Sequence, residues 1–154
     1  MTRWTRTELG KGNPTPWPPF TKKGPGSSDV AISKQNLVAV EPWHGNEVAV
    51  YAKGQRRVLD DNLKEGHSIE LADFDGDGKE EFVVGDRGRL PDGKAAGGVW
   101  LFHQDKDWVK SSLDDTSMAA ASCVVADLNG DKRPDIACIG SSTANLRWYE
   151  NKGK

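Results

Sequence analysis

The sequence has little cysteine, no long apolar run and no concentration of basic residues. Only two cysteines occur, Cys123 and Cys138; their spacing is not that of metal ligands, and two thiols do not make a disulfide framework. No segment approaches the roughly 20 apolar residues that a membrane span needs. The formal net charge of −2 gives no concentrated basic surface for phosphates. The sequence therefore predicts neither a membrane span nor a nucleic-acid partner. No signal-peptide pattern follows Met1, which leaves the location of the protein open.

Turn-forming and aromatic residues are abundant instead. The 154 residues include 17 glycines, 8 prolines and 6 tryptophans, and this composition is typical of all-β proteins with many turns. The hydrophobic share of 36% and the charged share of 29% are ordinary for a globular domain that buries a core.

An internal repeat organises the second half of the chain. Residues 59–77 align without a gap with residues 113–131, so that Asp73 corresponds to Asp127 at an offset of 54 residues. Each copy is followed by a short apolar run, at 82–84 and at 136–138. Each unit reads as four short strands bounded by Gly, Asp and Pro, which is the pattern of a propeller blade.

The fold prediction is an all-β chain of about three four-stranded antiparallel β-propeller blades, forming a partial propeller over residues 1–154. The blades are predicted at 29–60, 68–113 and 121–150. Residues 4–9 resemble the strand at 108–113 and are predicted to complete the last blade, from the same chain or another. Three blades are too few to close a ring. We therefore expect a homo-oligomer that completes the ring, or a fragment of a longer propeller.

Two acidic loops predict two structural Ca²⁺ sites. Alternate residues supply oxygen ligands, and glycines permit the tight turns between them. The first set is Asp73, Asp75, Asp77, the carbonyl of Lys79, and Glu81; the second is Asp127, Asn129, Asp131, the carbonyl of Arg133, and Asp135. The second loop has one charge fewer, so we expect weaker binding there. The alternative is an acidic β-turn that binds nothing.

These loops, with the runs Asp-Ile-Ala at 135–137 and Trp-Tyr-Glu-Asn at 148–151, resemble VCBS/FG-GAP propeller repeats. The resemblance implies a β-propeller, for which an extracellular or periplasmic place is plausible, but not one function. More narrowly, residues 41–46, 66–67 and 118–121 resemble the propeller domain of aldos-2-ulose dehydratase-like proteins. That resemblance implies a metal-dependent lyase acting on oxidised sugars.

The loops at the opposite end of the blades collect the candidate ligand site. His67 and His44 are the catalytic candidates, and the ligand-binding candidates are Trp43, Arg87, Arg89 and Asp60. The alternative is that His67 only hydrogen-bonds a neighbouring blade, and that aspartates after a strand only form turns. Two functions stay open: a module that binds a carbohydrate or a protein, and a sugar lyase. Whether the chain is an enzyme is therefore undecided.

Two predictions concern packing. Cys123 and Cys138 are predicted to lie opposite each other across a hairpin; a disulfide there is expected to be strained, so two buried free thiols are favoured. The tryptophans placed in strands are expected to pack between blades rather than to form a binding box. These are Trp4, Trp100, Trp108 and Trp148.

Overall fold

The computed structural model describes residues 5, 27–92 and 94–153, and these contain three antiparallel sheets and no helix. No described helix is therefore long and apolar enough to cross a membrane. The strands are β1 Asp29–Ile32, β2 Leu37–Glu41, β3 Glu47–Ala52, β4 Gln55–Asp60, β5 Gly66–Ala72, β6 Glu81–Asp86, β7 Gly98–Gln104, β8 Trp108–Asp115, β9 Ala120–Ala126, β10 Asp135–Gly140 and β11 Leu146–Tyr149.

Each sheet is a meander of consecutive strands. Sheet one is β1–β4, sheet two is β5–β8, and sheet three is β9–β11. The prediction of an all-β fold made of antiparallel, blade-like sheets is confirmed. Sheet three has three described strands, and the predicted N-terminal strand at 4–9 lies outside the described residues apart from Thr5.

Short turns set the register within the sheets. Lys53 and Gly54 join β3 to β4 with φ values of 52° and 75°, the left-handed pair that a two-residue hairpin of type I′ requires. The strands that flank this turn pair from Ala52 and Gln55 onward. The turn therefore sets the pairing of residues 49–52 with residues 55–58, and a register shift between Val48 and Ala49 ends this alignment.

Sheet two is the middle layer, and it buries both of its faces. Phe82 and Val84 point toward sheet one, and on this face of sheet two Phe82 stacks on its cross-strand neighbour Phe102, with ring centroids 4.7 Å apart. Val83, between them, points toward sheet three and joins a second cluster there. Because side chains alternate along a strand, a strand that is buried on both faces has a continuous apolar run.

The first strands of the three sheets lie side by side. The Asp29 carboxylate of β1 accepts a hydrogen bond from Ile69 N of β5 at 3.0 Å. The Ser68 hydroxyl of β5 accepts one from Cys123 N of β9 at 2.9 Å. A side chain at Gly85 would contact Ala120 O at 3.1 Å, so glycine permits this close approach of sheets two and three. This is the arrangement expected around a propeller axis.

Cys123 and Cys138 form a disulfide, so the prediction of two free thiols is wrong. They do lie opposite each other, paired across β9 and β10. Cys123 N bonds Ser68 rather than β10, as expected where an antiparallel pair exchanges no hydrogen bonds. Such pairs approach closely, and the Cα atoms here are 4.1 Å apart. The sequence reasoning underestimated this closeness.

Candidate functional site

The candidate residues occupy the two opposite ends of the sheets. The loop joining β5 to β6 (residues 73–81, loop one) and the loop joining β9 to β10 (residues 127–135, loop two) lie at one end. The connections β2–β3, β4–β5, β6–β7 and β10–β11 lie at the other, because the strands of each meander alternate in direction. The predicted metal ligands and the predicted ligand-binding residues therefore lie at different ends of the sheets.

Loop one is organised around the carboxylate of Asp73. Its Oδ1 accepts N–H groups from Gly76 and Asp77, at 2.8 and 3.1 Å, and its Oδ2 accepts that of Gly78 at 3.0 Å. Gly76 and Gly78 adopt φ values of 76° and 85°, a left-handed conformation that glycine adopts without strain. These turns fold the loop so that alternate side chains converge.

Carboxylate oxygens of Asp73, Asp75 and Glu81 lie within 4.8 Å of one another. Oxygens on opposite sides of a Ca²⁺ ion are about 5 Å apart, since each Ca–O bond is about 2.3–2.6 Å, so the three carboxylates fit such an ion. Asp77 is not among these three residues; its Oδ2 lies 3.5 Å from Nζ of Lys79, the residue expected to offer a carbonyl.

Glu81 is the buried member of this cluster. Its Oε2 accepts the N–H of Phe74 at 2.8 Å. Burial raises the pKa of Glu81, and the charges of Asp75, Asp73 and Asp77 raise it further. Burial and the neighbouring carboxylates therefore disfavour the ionised form of Glu81, and a cation bound beside it would favour that form.

Loop two repeats the backbone pattern of loop one. The Asp127 carboxylate accepts the N–H groups of Gly130, Asp131 and Lys132, at 2.7, 3.1 and 2.9 Å. Lys132 takes the place of Gly78 and adopts φ 69°, so the turn survives the loss of glycine. The buried Asp135 accepts Leu128 N at 3.1 Å, as Glu81 accepts Phe74 N in loop one.

The side chains of loop two pair with protein groups instead of converging. Asp131 Oδ2 is 2.5 Å from Arg133 Nη2, and the N–H of Arg133 helps to hold the pKa of Asp131 below its usual value. The amide nitrogen of Asn129 donates to Asp131 and Glu150. Among the described residues, no carboxylate triplet like that of loop one occurs in loop two.

Four residues that were predicted to be catalytic or ligand-binding come together at the end of the sheets opposite the acidic loops, and Glu65 lies beside them. We call Trp43, His44, His67, Arg87 and Glu65 the histidine cluster. The Trp43 and His44 rings stack at 4.3 Å, and the His44 and His67 rings are 5.2 Å apart. Glu65 Oε1 lies 3.0 Å from Arg87 Nη2 and 3.3 Å from His44 Nδ1. Sequence reasoning missed Glu65, although it lies only two residues before His67.

The polar atoms of the two imidazoles have defined environments. His67 Nδ1 lies 2.8 Å from the carbonyl oxygen of Ala121, so that nitrogen carries the proton and donates it. Burial lowers the pKa of His44, and the neighbouring charge of Arg87 lowers it further. The lowered pKa favours the uncharged form of the His44 ring at neutral pH, in which it can accept or donate a hydrogen bond.

Local backbone interactions position His44. Its N–H donates to the Ser28 hydroxyl at 2.7 Å, and it adopts a left-handed φ of 51°. Gly45 accepts the Gly66 N–H at 2.8 Å, which joins the β2–β3 loop to the start of β5. The two histidines are brought together by this contact between sheets one and two.

A cleft of about 280 Å³ adjoins the histidine cluster. It is lined by Glu65, Arg87, Arg89, Ser141 and Ser142. The two serines were missed by sequence reasoning; they lie in the β10–β11 loop, which corresponds in the repeat to the loop that carries Arg87. Aligning the loop that carries Arg87 with the third repeat unit could have identified these serines.

Asp60 lies apart from these contacts, at the end of β4. Its carboxylate accepts a hydrogen bond from Lys110 Nζ on β8 and another from the Asn62 N–H at 3.2 Å. These contacts join sheets one and two and cap a turn, which matches the structural alternative for aspartates that follow a strand.

Comparison with known proteins supports the fold and leaves the activity undefined. A family model of FG-GAP-like repeats matches residues 73–138, which include both acidic loops. No curated protein matches the chain, so the narrower resemblance to aldos-2-ulose dehydratase is not supported. The repeat match and the three antiparallel sheets together support a β-propeller-type domain of the FG-GAP kind.

Proposed function

We propose that this chain is a calcium-stabilised β-propeller module that binds a carbohydrate at the histidine cluster. The observation that carries the proposal is the exposed indole of Trp43, 38% accessible, beside two imidazoles and an Arg–Glu pair. The C–H face of a sugar packs on an aromatic ring, and its hydroxyls need nearby donors and acceptors. The cluster offers both kinds of group.

No comparison supports a lyase, so His44 and His67 are assigned to ligand binding. His67 has one nitrogen bound to Ala121 O, which leaves Nε2 to hydrogen-bond a sugar hydroxyl. The pKa of His44 is lowered, so His44 can bond a neutral ligand without a change in its own protonation. The two rings contribute orientation and hydrogen bonding in this proposal.

Calcium is proposed to stabilise the opposite end, chiefly through loop one. The converging carboxylates there match an oxygen-only site for a hard cation. An ion would fix the β5–β6 connection. It would also stabilise the contact of loop one with sheet three, because Asn151 Nδ2, just after β11, donates to the carbonyl oxygen of Phe74 at 2.7 Å. Loop two is proposed as the weaker site, because Asp131 is already paired with Arg133.

Trp43→Ala tests the carbohydrate assignment. In a glycan-array screen followed by calorimetric titration with the sugars bound, this change is expected to weaken binding at least tenfold, about 1.4 kcal/mol, because aromatic anchors dominate small interfaces. Trp43→Phe should restore part of the affinity by retaining an aromatic face. Leu128→Ala, at an exposed position in loop two, is the control and should leave binding unchanged. Equal binding by wild type and Trp43→Ala would refute the assignment.

The outer faces of the end sheets are proposed to pair with a second copy of the chain. Trp148 lies opposite Ala137 on sheet three, as Leu101 lies opposite Val83 on sheet two. The face of sheet two that carries Val83 is covered by sheet three. The corresponding face of sheet three is open, with Leu146 73% and Trp148 51% exposed.

Sheet one has a matching open face at the other end of the chain. Val30 and Ile32 of β1 are 56% and 62% exposed, and Val58 of β4 is 40% exposed. Head-to-tail pairing of these two faces in two copies would give a closed ring of six sheets, within the range of four to eight propeller blades. Leu146→Glu is expected to prevent the pairing, because it places a charge on the buried face.

A further inference from the structure

We infer that the cleft beside the histidine cluster binds the carboxylate of an acidic saccharide, a uronate. This inference rests on the proposed carbohydrate-binding function and names the class of sugar that the site selects. The cleft shares Glu65 and Arg87 with the histidine cluster, so a sugar stacked on Trp43 would have its substituents beside Arg89 and Ser142. The selectivity therefore depends on the charges that line the cleft.

The two arginines differ in how their charge is compensated. Arg87 Nη2 is 3.0 Å from a carboxylate oxygen of Glu65 and 3.3 Å from His44 Nδ1. Arg89 is exposed, and within residues 27–92 and 94–153 its side chain has no ion pair or hydrogen bond. Among the described residues, the cleft therefore contains one guanidinium without a compensating partner, which is complementary to a ligand with a single negative charge.

The hydrogen-bonding groups favour a carboxylate. A guanidinium presents a planar fork of N–H donors that matches the two oxygens of a carboxylate. Arg89 lines the cleft, and a β-bridge between its backbone and that of Ala95 fixes the position of its main chain. The Ser142 hydroxyl lines the same cleft, and no side-chain hydrogen bond of Ser142 occurs among the described residues. Ser141, in contrast, is bonded to Ala119 O.

The test compares uronates with their neutral counterparts. Wild-type protein is titrated calorimetrically with galacturonate, glucuronate, galactose, glucose and a sulfated galactose. At least one uronate is expected to bind ten or more times more tightly than its neutral partner. Arg89→Gln should reduce that ratio of affinities to about one. Arg57→Gln removes a charge paired with Asp107 on the exposed surface, and it should leave the ratio unchanged.

The outcomes separate this inference from the proposed function. Neutral sugars that bind in a Trp43-dependent manner, with no preference for uronates, would overturn the inference and leave the proposed function standing. A preference that survives Arg89→Gln, or a stronger preference for the sulfated sugar, would also overturn it. Absence of binding to any of the five sugars and to a glycan array would overturn both.

Discussion

Replacing Cys123 and Cys138 together with alanine is expected to lower the free energy of unfolding by about 3 kcal/mol. The disulfide closes a loop with a sequence separation of 15 residues, so breaking it enlarges the conformational freedom of the unfolded chain. Both residues also lie in the cluster shared by sheets two and three, where smaller side chains lose contacts. Urea denaturation of the two proteins under oxidising conditions measures the difference.

A reductant supplies the control for the disulfide. Wild-type protein should lose most of the same free energy in excess dithiothreitol, whereas the double variant should be insensitive to it. The variant should still respond to calcium, because loop one is formed by other strands. If reductant leaves the wild-type unfolding midpoint unchanged, the disulfide does not stabilise this fold.

Glu81→Gln is expected to be at least as stable as the wild type without calcium, and less stable than the wild type with calcium. In excess EDTA the variant should equal or exceed the wild type, because it removes a buried charge close to Asp73 and Asp75. The glutamine carbonyl can still accept the Phe74 N–H. In calcium the wild type should gain about 2.7 kcal/mol at one hundred times its dissociation constant, and the variant should lose most of this gain.

Asp105→Asn is the matched control for charge. Asp105 is an exposed carboxylate in the β7–β8 turn, at the same end of the sheets as loop one. Its replacement should leave the calcium-dependent gain intact. Thermal unfolding of the three proteins in calcium and in EDTA gives the comparison. A Glu81→Gln protein with a full calcium response would exclude loop one as the principal site.

The fold was predictable because its determinants are local and repeated. The offset between Asp73 and Asp127 aligns two units, and the apolar run at 82–84 marks a strand that is buried on both faces. Two-residue turns such as Lys53-Gly54 then determine how consecutive strands pair. These features act within about 50 residues, so sequence reasoning captured the three sheets.

The site residues that are brought together by contacts between sheets were harder to predict from the sequence. Glu65 joins the histidine cluster only because sheet one brings His44 beside the start of β5. Ser142 reaches the cleft from sheet three, more than 50 residues from Arg87. The only sequence signals were the closeness of Glu65 to His67 and the repeat that aligns the Ser142 loop with the Arg87 loop.

The tryptophans show that the burial of a strand residue is also hard to predict from the local sequence. Trp100 and Trp108 pack against the cluster between sheets one and two, as their strand positions predicted. Trp148 occupies an equivalent kind of strand position, but it is 51% exposed, because no further described sheet covers that face of sheet three. Whether a strand residue is buried therefore depends on the next blade, which local periodicity does not reveal.

The molar mass in solution, measured by light scattering with calcium and with excess EDTA, tests most directly whether the three sheets act as propeller blades that need neighbours on both sides. Wild-type protein in calcium is expected to have twice the mass of the chain, and Leu146→Glu the mass of one chain. A single-chain mass for the wild type in calcium, at concentrations well above those used for ligand titration, would contradict pairing through the end sheets.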